Sequence, residues 1–264
     1  IADPGEHFKC VLWTGDGSEG RSITGVGFKP DLVWIKERSS TSGHALFDSV
    51  RGPGFRLVTN TNNAEDHVST NVYNPSFNNN GFTVGTDGAL NQSGQTYVAW
   101  CWKAGGESVL NESGSIDSQV SANQTAGFSI VSYTGNGTSG TVGHGLGKTP
   151  NIVLCKNRTD TSNWSFNGNF GGLVYGTNKL MLQTSGAIVS DTNEVTSANA
   201  TTFTLGNSGA TNGVADAQIA YCWTEIEGFS KFGSYTGTGS GDGPFVYCGF
   251  KPAWVMAKNA DDTG

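Results

Sequence analysis

The sequence predicts an all-β chain of tandem antiparallel modules, and three observations carry that prediction. A 24-residue motif, Tyr133 to Lys156, recurs on either side of itself with its spacing kept. No stretch longer than about ten residues holds a helical period of apolar side chains. Gly fills 39 positions without a triplet period, while seven Trp, seven Tyr and 14 Phe are present. That is the composition of many tight turns around an aromatic core, not of a disordered chain.

Each copy of the motif opens on aromatic-Thr-Gly, passes through a Gly-rich turn and reaches a Pro that leads an apolar run. Trp13-Thr14-Gly15 leads to Pro30 and Leu32-Val33-Trp34-Ile35-Lys36; Tyr133-Thr134-Gly135 leads to Pro150 and Ile152-Val153-Leu154-Cys155-Lys156. The third copy runs from Tyr235-Thr236-Gly237 to Pro252 and Ala253-Trp254-Val255-Met256-Ala257-Lys258. In all three the aromatic stands 23 residues before the Lys and the Gly 15 before the Pro. A second marker, Phe82-Thr83-Val84-Gly85 with Ala99-Trp100-Cys101-Trp102, returns 121 residues later as Phe203-Thr204-Leu205-Gly206 with Ala220-Tyr221-Cys222-Trp223.

A unit of about 100 residues has the size of a small domain, not of a solenoid repeat. The spacing therefore divides the chain into a first repeat over residues 1–106, a linker over 107–126, a second repeat over 127–229 and the opening hairpin of an incomplete third repeat over 230–264. Residues 107–126 read as a linker because they are poor in aromatics and rich in Ser, Asn and Gly. Units one and two are accordingly expected to be loosely joined, and units two and three, separated only by Thr224 to Lys231, closely coupled.

Within unit one the first strand is Phe8 to Thr14, ended by the turn Gly15-Asp16-Gly17-Ser18, where Gly supplies the positive φ of a reversal. Pro30 cannot donate to a ladder and so marks where the next strand starts pairing. His44 to Val50 reads as a strand followed by the Gly/Pro loop Arg51-Gly52-Pro53-Gly54, and Phe55 to Val58 as a further short strand. Asn80-Gly81 marks a hairpin tip before Phe82, and Tyr97 to Lys103 closes the unit. The apolar runs after each Pro are rich in β-branched and aromatic residues, which predicts burial of Trp34, Ile152, Leu154 and Trp254 on at least one strand face.

The net charge is −7 and the 15 basic residues are scattered singly, so no phosphate-tracking surface and no nucleic-acid partner are expected. No apolar stretch has the length of about 18 residues that a membrane span needs. Five Cys, an odd number, do not form a disulfide framework; a bridge between Cys10 and Cys101 is left open, and Cys101 and Cys222 are read as buried thiols.

His7, His44, His67 and His144 are scattered and do not align between units, and His144 in Gly143-His144-Gly145 reads as an exposed turn imidazole. No metal site follows from them. Glu225 and Glu227 share a strand face, as the carboxylate pair of a glycosidase does, yet unit one has Ala104 and Gly106 there, so no catalytic residue is assigned. Asp16-Gly17-Ser18-Glu19 and Asp242-Gly243 lack the alternating acids of a calcium loop, and turn chemistry accounts for them, with calcium left open. No cofactor is expected.

The run Phe128-Ser129-Ile130-Val131-Ser132-Tyr133-Thr134-Gly135-Asn136-Gly137, the turn Val142 to Gly147, the strand after Pro150 and the join Tyr221-Cys222-Trp223 to Gly228-Phe229-Ser230-Lys231 resemble repeat modules of marine phages. The similar modules belong to virion-associated, tail-fibre-like structural proteins of cyanophages and pelagiphages, and the resemblance spans the whole chain. It implies lectin-like or jelly-roll-like β-sandwiches in a virion or extracellular protein. It carries no catalytic residue.

The expected function is therefore a structural and adhesive protein that forms a homo-oligomer or polymer and meets a host-surface glycan or receptor. A polysaccharide hydrolase and a self-polymerising filament subunit joined by strand donation are the alternatives. Recognition is expected in the loops that differ between units, residues 39–54 and 159–177, because loops on a rigid sheet usually carry it. Asn163-Trp164-Ser165-Phe166-Asn167 combines an aromatic with amide donors and acceptors, so Asn163, Trp164, Asn167 and Tyr175 are the candidate glycan-binding residues, with burial of Trp164 as the competing reading.

Overall fold

A computed structural model describes residues 1–67, 72–73 and 76–261. Unit one contains β1 (Phe8–Thr14), β2 (Arg21–Thr24), β3 (Leu32–Glu37), β4 (Ala45–Asp48), β5 (Phe55–Val58), β6 (Asp66–His67), β7 (Phe77–Asn78), β8 (Gly81–Val84), the single turn α1 (Gly88–Asn91) and β9 (Thr96–Trp102). Then come β10 (Val109–Asn111) and β11 (Ser118–Asn123). Unit two repeats the first series as β12 (Phe128–Thr134), β13 (Gly140–Gly143), β14 (Ile152–Asn157), β15 (Ser165–Gly168), β16 (Asn178–Met181), β17 (Val189–Ser190), β18 (Val195–Ala198), β19 (Thr202–Leu205), α2 (Gly209–Asn212) and β20 (Ala217–Trp223).

Each unit is an antiparallel sandwich of one large and one small sheet. In unit one the large sheet runs β1-β9-β3-β4-β5-β6 and the small one β2-β8-β7; in unit two they run β10-β11-β12-β20-β14-β15-β16-β17 and β13-β19-β18. The registers repeat, Val11 and Ile35 both facing Ala99 in unit one, Val131 and Cys155 both facing Ala220 in unit two. The tandem all-β reading of the sequence holds.

Side-chain alternation explains why the Pro-led strands β3 and β14 open on unbroken apolar runs. In β14, Val153 and Cys155 enter the core under the small sheet, while Ile152 and Leu154 enter a second core on the opposite face. β20 divides likewise, Ala220 and Cys222 one way and Ile219 and Tyr221 the other. That second core is shared between the units: Leu32, Leu46, Leu57 and Trp102 of unit one lie in it with Phe128, Ile130, Trp164 and Phe166 of unit two. The large sheets thus pack face to face, and both faces of their central strands are buried.

This arrangement corrects the expected loose joint between units one and two. Residues 107–126 are not a free linker: they supply β10 and β11, and β11 pairs residue for residue with β12, from Ser118 opposite Tyr133 to Asn123 opposite Phe128. β11 is built mostly from Ser, Gln and Asn and has only Val120 in the core, which is why it resembles a linker.

The expected hairpin of the last segment also does not form among the described residues, because residues 230–261 contain no strand. In both units the Pro-led strand lies between a closing strand and its next neighbour, and the described residues 230–261 provide neither; a lone hairpin is marginal in water. The segment instead inserts Trp254 against Phe8, Trp100 and Trp102, at centroid distances of 6.1, 6.2 and 5.5 Å. Cys10 and Cys101 do not bridge: Cys10 pairs across from Trp100, so the two thiols leave opposite faces of the sheet, and all five Cys are free.

Candidate functional site

The repeated motif is scaffold, and its turn shows why. Asn91 of α1 is buried and donates through Nδ2 to Asp16 Oδ1 and to the Ser18 carbonyl, both at 2.9 Å, while its Oδ1 accepts from Asp16 N–H at 3.2 Å. In unit two Asn212 of α2 binds Asn136 the same way, accepting its N–H at 2.9 Å. Ser18, through hydroxyl and backbone N–H, and then Asn91 hold the Asp16 carboxyl down at about 2. Asp16 and the Ser18 carbonyl, in the first loop considered for calcium, are therefore engaged in fastening a turn to a helical turn. No cluster of metal-ligating side chains occurs among the described residues.

The Lys that ends the motif is structural as well. Lys156 is fully buried and donates to the carbonyls of Asn157 and Asp160 at 2.6 and 3.3 Å; Lys36 reaches the carbonyls of Glu37 and Ser40 in the same way. Burial lowers the Lys156 ammonium to about 8.

The loop residues expected to bind glycan do not come together as a site. Trp164 is 0% exposed: it packs on Tyr221 at 6.4 Å, and its indole N–H donates to the Val58 carbonyl of unit one at 3.1 Å. No ring face is left for a sugar, because the second sheet covers it. Asn167 is buried and donates to Ser165, and Tyr175 is half-buried with its hydroxyl on the Pro150 carbonyl. Only Asn163 is exposed, accepting from Gln183 Nε2 at 2.6 Å.

His144, expected in an exposed turn, is fully buried: Nδ1 accepts from Leu146 N–H, which leaves Nε2–H to donate to the Asn199 carbonyl. Burial depresses its pKa below the ordinary imidazole value. Glu225 spends its carboxylate on Lys231 at 3.0 Å and on the Phe232 N–H at 2.8 Å, and Glu227 is exposed.

What the fold does assemble is a crevice of about 350 Å³ at the seam, where β3, the residues flanking β4 and β5, the end of β16 and residues 256–258 meet. Trp34, Phe166, Leu180 and Leu182 give it apolar walls, and His44, Asn60, Gln183 and Lys258 its polar groups. Two of the polar groups are fixed by the backbone: Asn60 Oδ1 accepts from His44 N–H and Gln183 Oε1 from Trp164 N–H. Two others, Trp34 Nε1 and His44 Nδ1, are buried without a hydrogen-bond partner among the described residues. Burial, and then the nearby Lys36 charge, depress the His44 pKa and keep its ring neutral at neutral pH. Sequence reading missed this site because its residues come from six separate segments and form no linear pattern.

The whole arrangement, from the residues before β1 to those after β20, is matched by one family. Residues 3–264 match the family described as "Domain of unknown function (DUF7483)". The chain belongs to this family. The match runs across both sandwiches and the segment over the crevice, so the DUF7483 domain takes in the duplicated pair and not a single repeat. No curated protein and no solved structure matches the chain.

Proposed function

We propose that this chain is a structural and adhesive part of a virion or extracellular appendage, built as a rigid double sandwich that presents its surface to host glycans. The observation that supports this most is the join between the units. Glu65 of unit one receives Arg158 of unit two at 2.7 and 3.0 Å and Arg51 of unit one at 2.8 Å, and Asp48 takes both Arg51 and, at 2.6 Å, the hydroxyl of Tyr221 from unit two. A buried ion network beside an aromatic core fixes one sheet against the other, as a load-carrying or display scaffold requires. The resemblance to phage tail-fibre-like modules points the same way.

Retention of the purified chain on immobilised host-surface polysaccharide, without release of sugar, is the expected result. Sugar release lost in Glu225→Gln would overturn it in favour of a hydrolase. A second reading, a filament subunit, is favoured by the exposed Tyr235, Phe245, Tyr247 and Val255 in the C-terminal segment. It requires sedimentation to show concentration-dependent polymers that Tyr247→Ser weakens.

A further inference from the structure

The geometry points to the seam crevice as a binding site for a pyranose that carries a carboxylate, an assignment that rests on the adhesive reading above and names its ligand. A volume of about 350 Å³ lies at the small end of ligand pockets and admits one or two sugar rings. Pyranoses present an apolar C–H face, which the walls of Trp34 and Phe166 can take, and a rim of hydroxyls, which need donors and acceptors.

Two residues of the crevice wall, Trp34 and His44, carry buried polar atoms without a partner among the described residues. Trp34 Nε1 is a donor only, and a buried donor without a partner costs about 1–3 kcal/mol. His44 Nδ1 is the second buried orphan of the same crevice. A hydroxyl both donates and accepts, so it satisfies this nitrogen in either tautomer and can accept from the indole at the same time. An aliphatic chain would leave both nitrogens unpaired.

Charge selects among sugars. Among the described residues Lys258 is the one charged side chain lining the crevice; one of its hydrogens goes to the Thr184 carbonyl, and an ammonium has three. A uronate supplies the carboxylate that completes it, while a neutral hexose does not.

The test is calorimetric titration of the full chain with methyl glucuronoside and with methyl glucoside. Saturable binding of one glucuronoside, at least about tenfold tighter than the glucoside, is expected. Lys258→Gln, at a half-buried position outside any strand, should erase that preference; Trp34→Phe, which keeps an aromatic ring but removes the N–H donor, should weaken both sugars about tenfold. Leu182→Trp, which fills the crevice from its wall, should abolish binding. No saturable binding of either sugar, or equal binding by wild type and Lys258→Gln, overturns the assignment. If the chain is retained on host polysaccharide equally well with and without Leu182→Trp, adhesion stands and the crevice is not its site.

Discussion

Gly135 sits where a Cβ would lie 2.2 Å from the Gly213 carbonyl oxygen, and its counterpart Gly15 where one would lie 2.0 Å from that of Gln92. The Gly of the aromatic-Thr-Gly opening is therefore required by the close approach of the turn to the loop after α1 or α2. Gly135→Ala should destabilise the protein by about 1–3 kcal/mol, read as a lower urea midpoint with an unchanged slope. His144 sets a pH dependence. Its folded pKa lies below 6.5, so between that value and 6.5 the unfolded chain binds more protons than the native one. Stability should then fall as pH drops below 6.5, and His144→Gln should reduce the slope between about pH 7.5 and about pH 5.5. His7 and His44, also depressed chiefly by burial, keep part of it.

At the scale of elements, the ion network gives the sharpest prediction. Asp48 and Arg51 have fully buried side chains, so Asp48→Asn leaves a guanidinium without its nearest anion and should cost about 3–5 kcal/mol in a denaturant titration. Tyr221→Phe removes the cross-unit hydroxyl and should cost about 1–2 kcal/mol, a value that a double-mutant cycle with Asp48→Asn should show to be non-additive. The strands themselves were legible, because Pro placement, β-branched content and spacing are local properties. What covers each strand was not. Ser165 and Asn167 are buried between Trp164, Phe166 and Gly168, so β15 shows no polar face, and a single unit read alone cannot say what lies on its far side. The signal was present in Ile152-Val153-Leu154-Cys155, apolar on both faces, which requires a partner on both. β11 was hidden for the opposite reason, since a strand of Ser, Gln and Asn with Val120 alone in the core has the composition of a linker.

At the scale of the molecule, the shared core makes two sequence repeats into one body. Trp102 alone meets Phe8, Phe128, Trp223 and Trp254, at centroid distances from 4.9 to 6.5 Å, and so ties together unit one, unit two and the C-terminal segment. Trp102→Ala should cost about 3–5 kcal/mol and loosen all three, which hydrogen exchange of β3, β14 and residues 253–260 would record together. Differential scanning calorimetry of the full chain tests the join most directly. One transition is expected, in which the van't Hoff and calorimetric enthalpies agree. Two resolved transitions, each with the heat of about one 100-residue domain, would show that the sheets fold as independent units and contradict it.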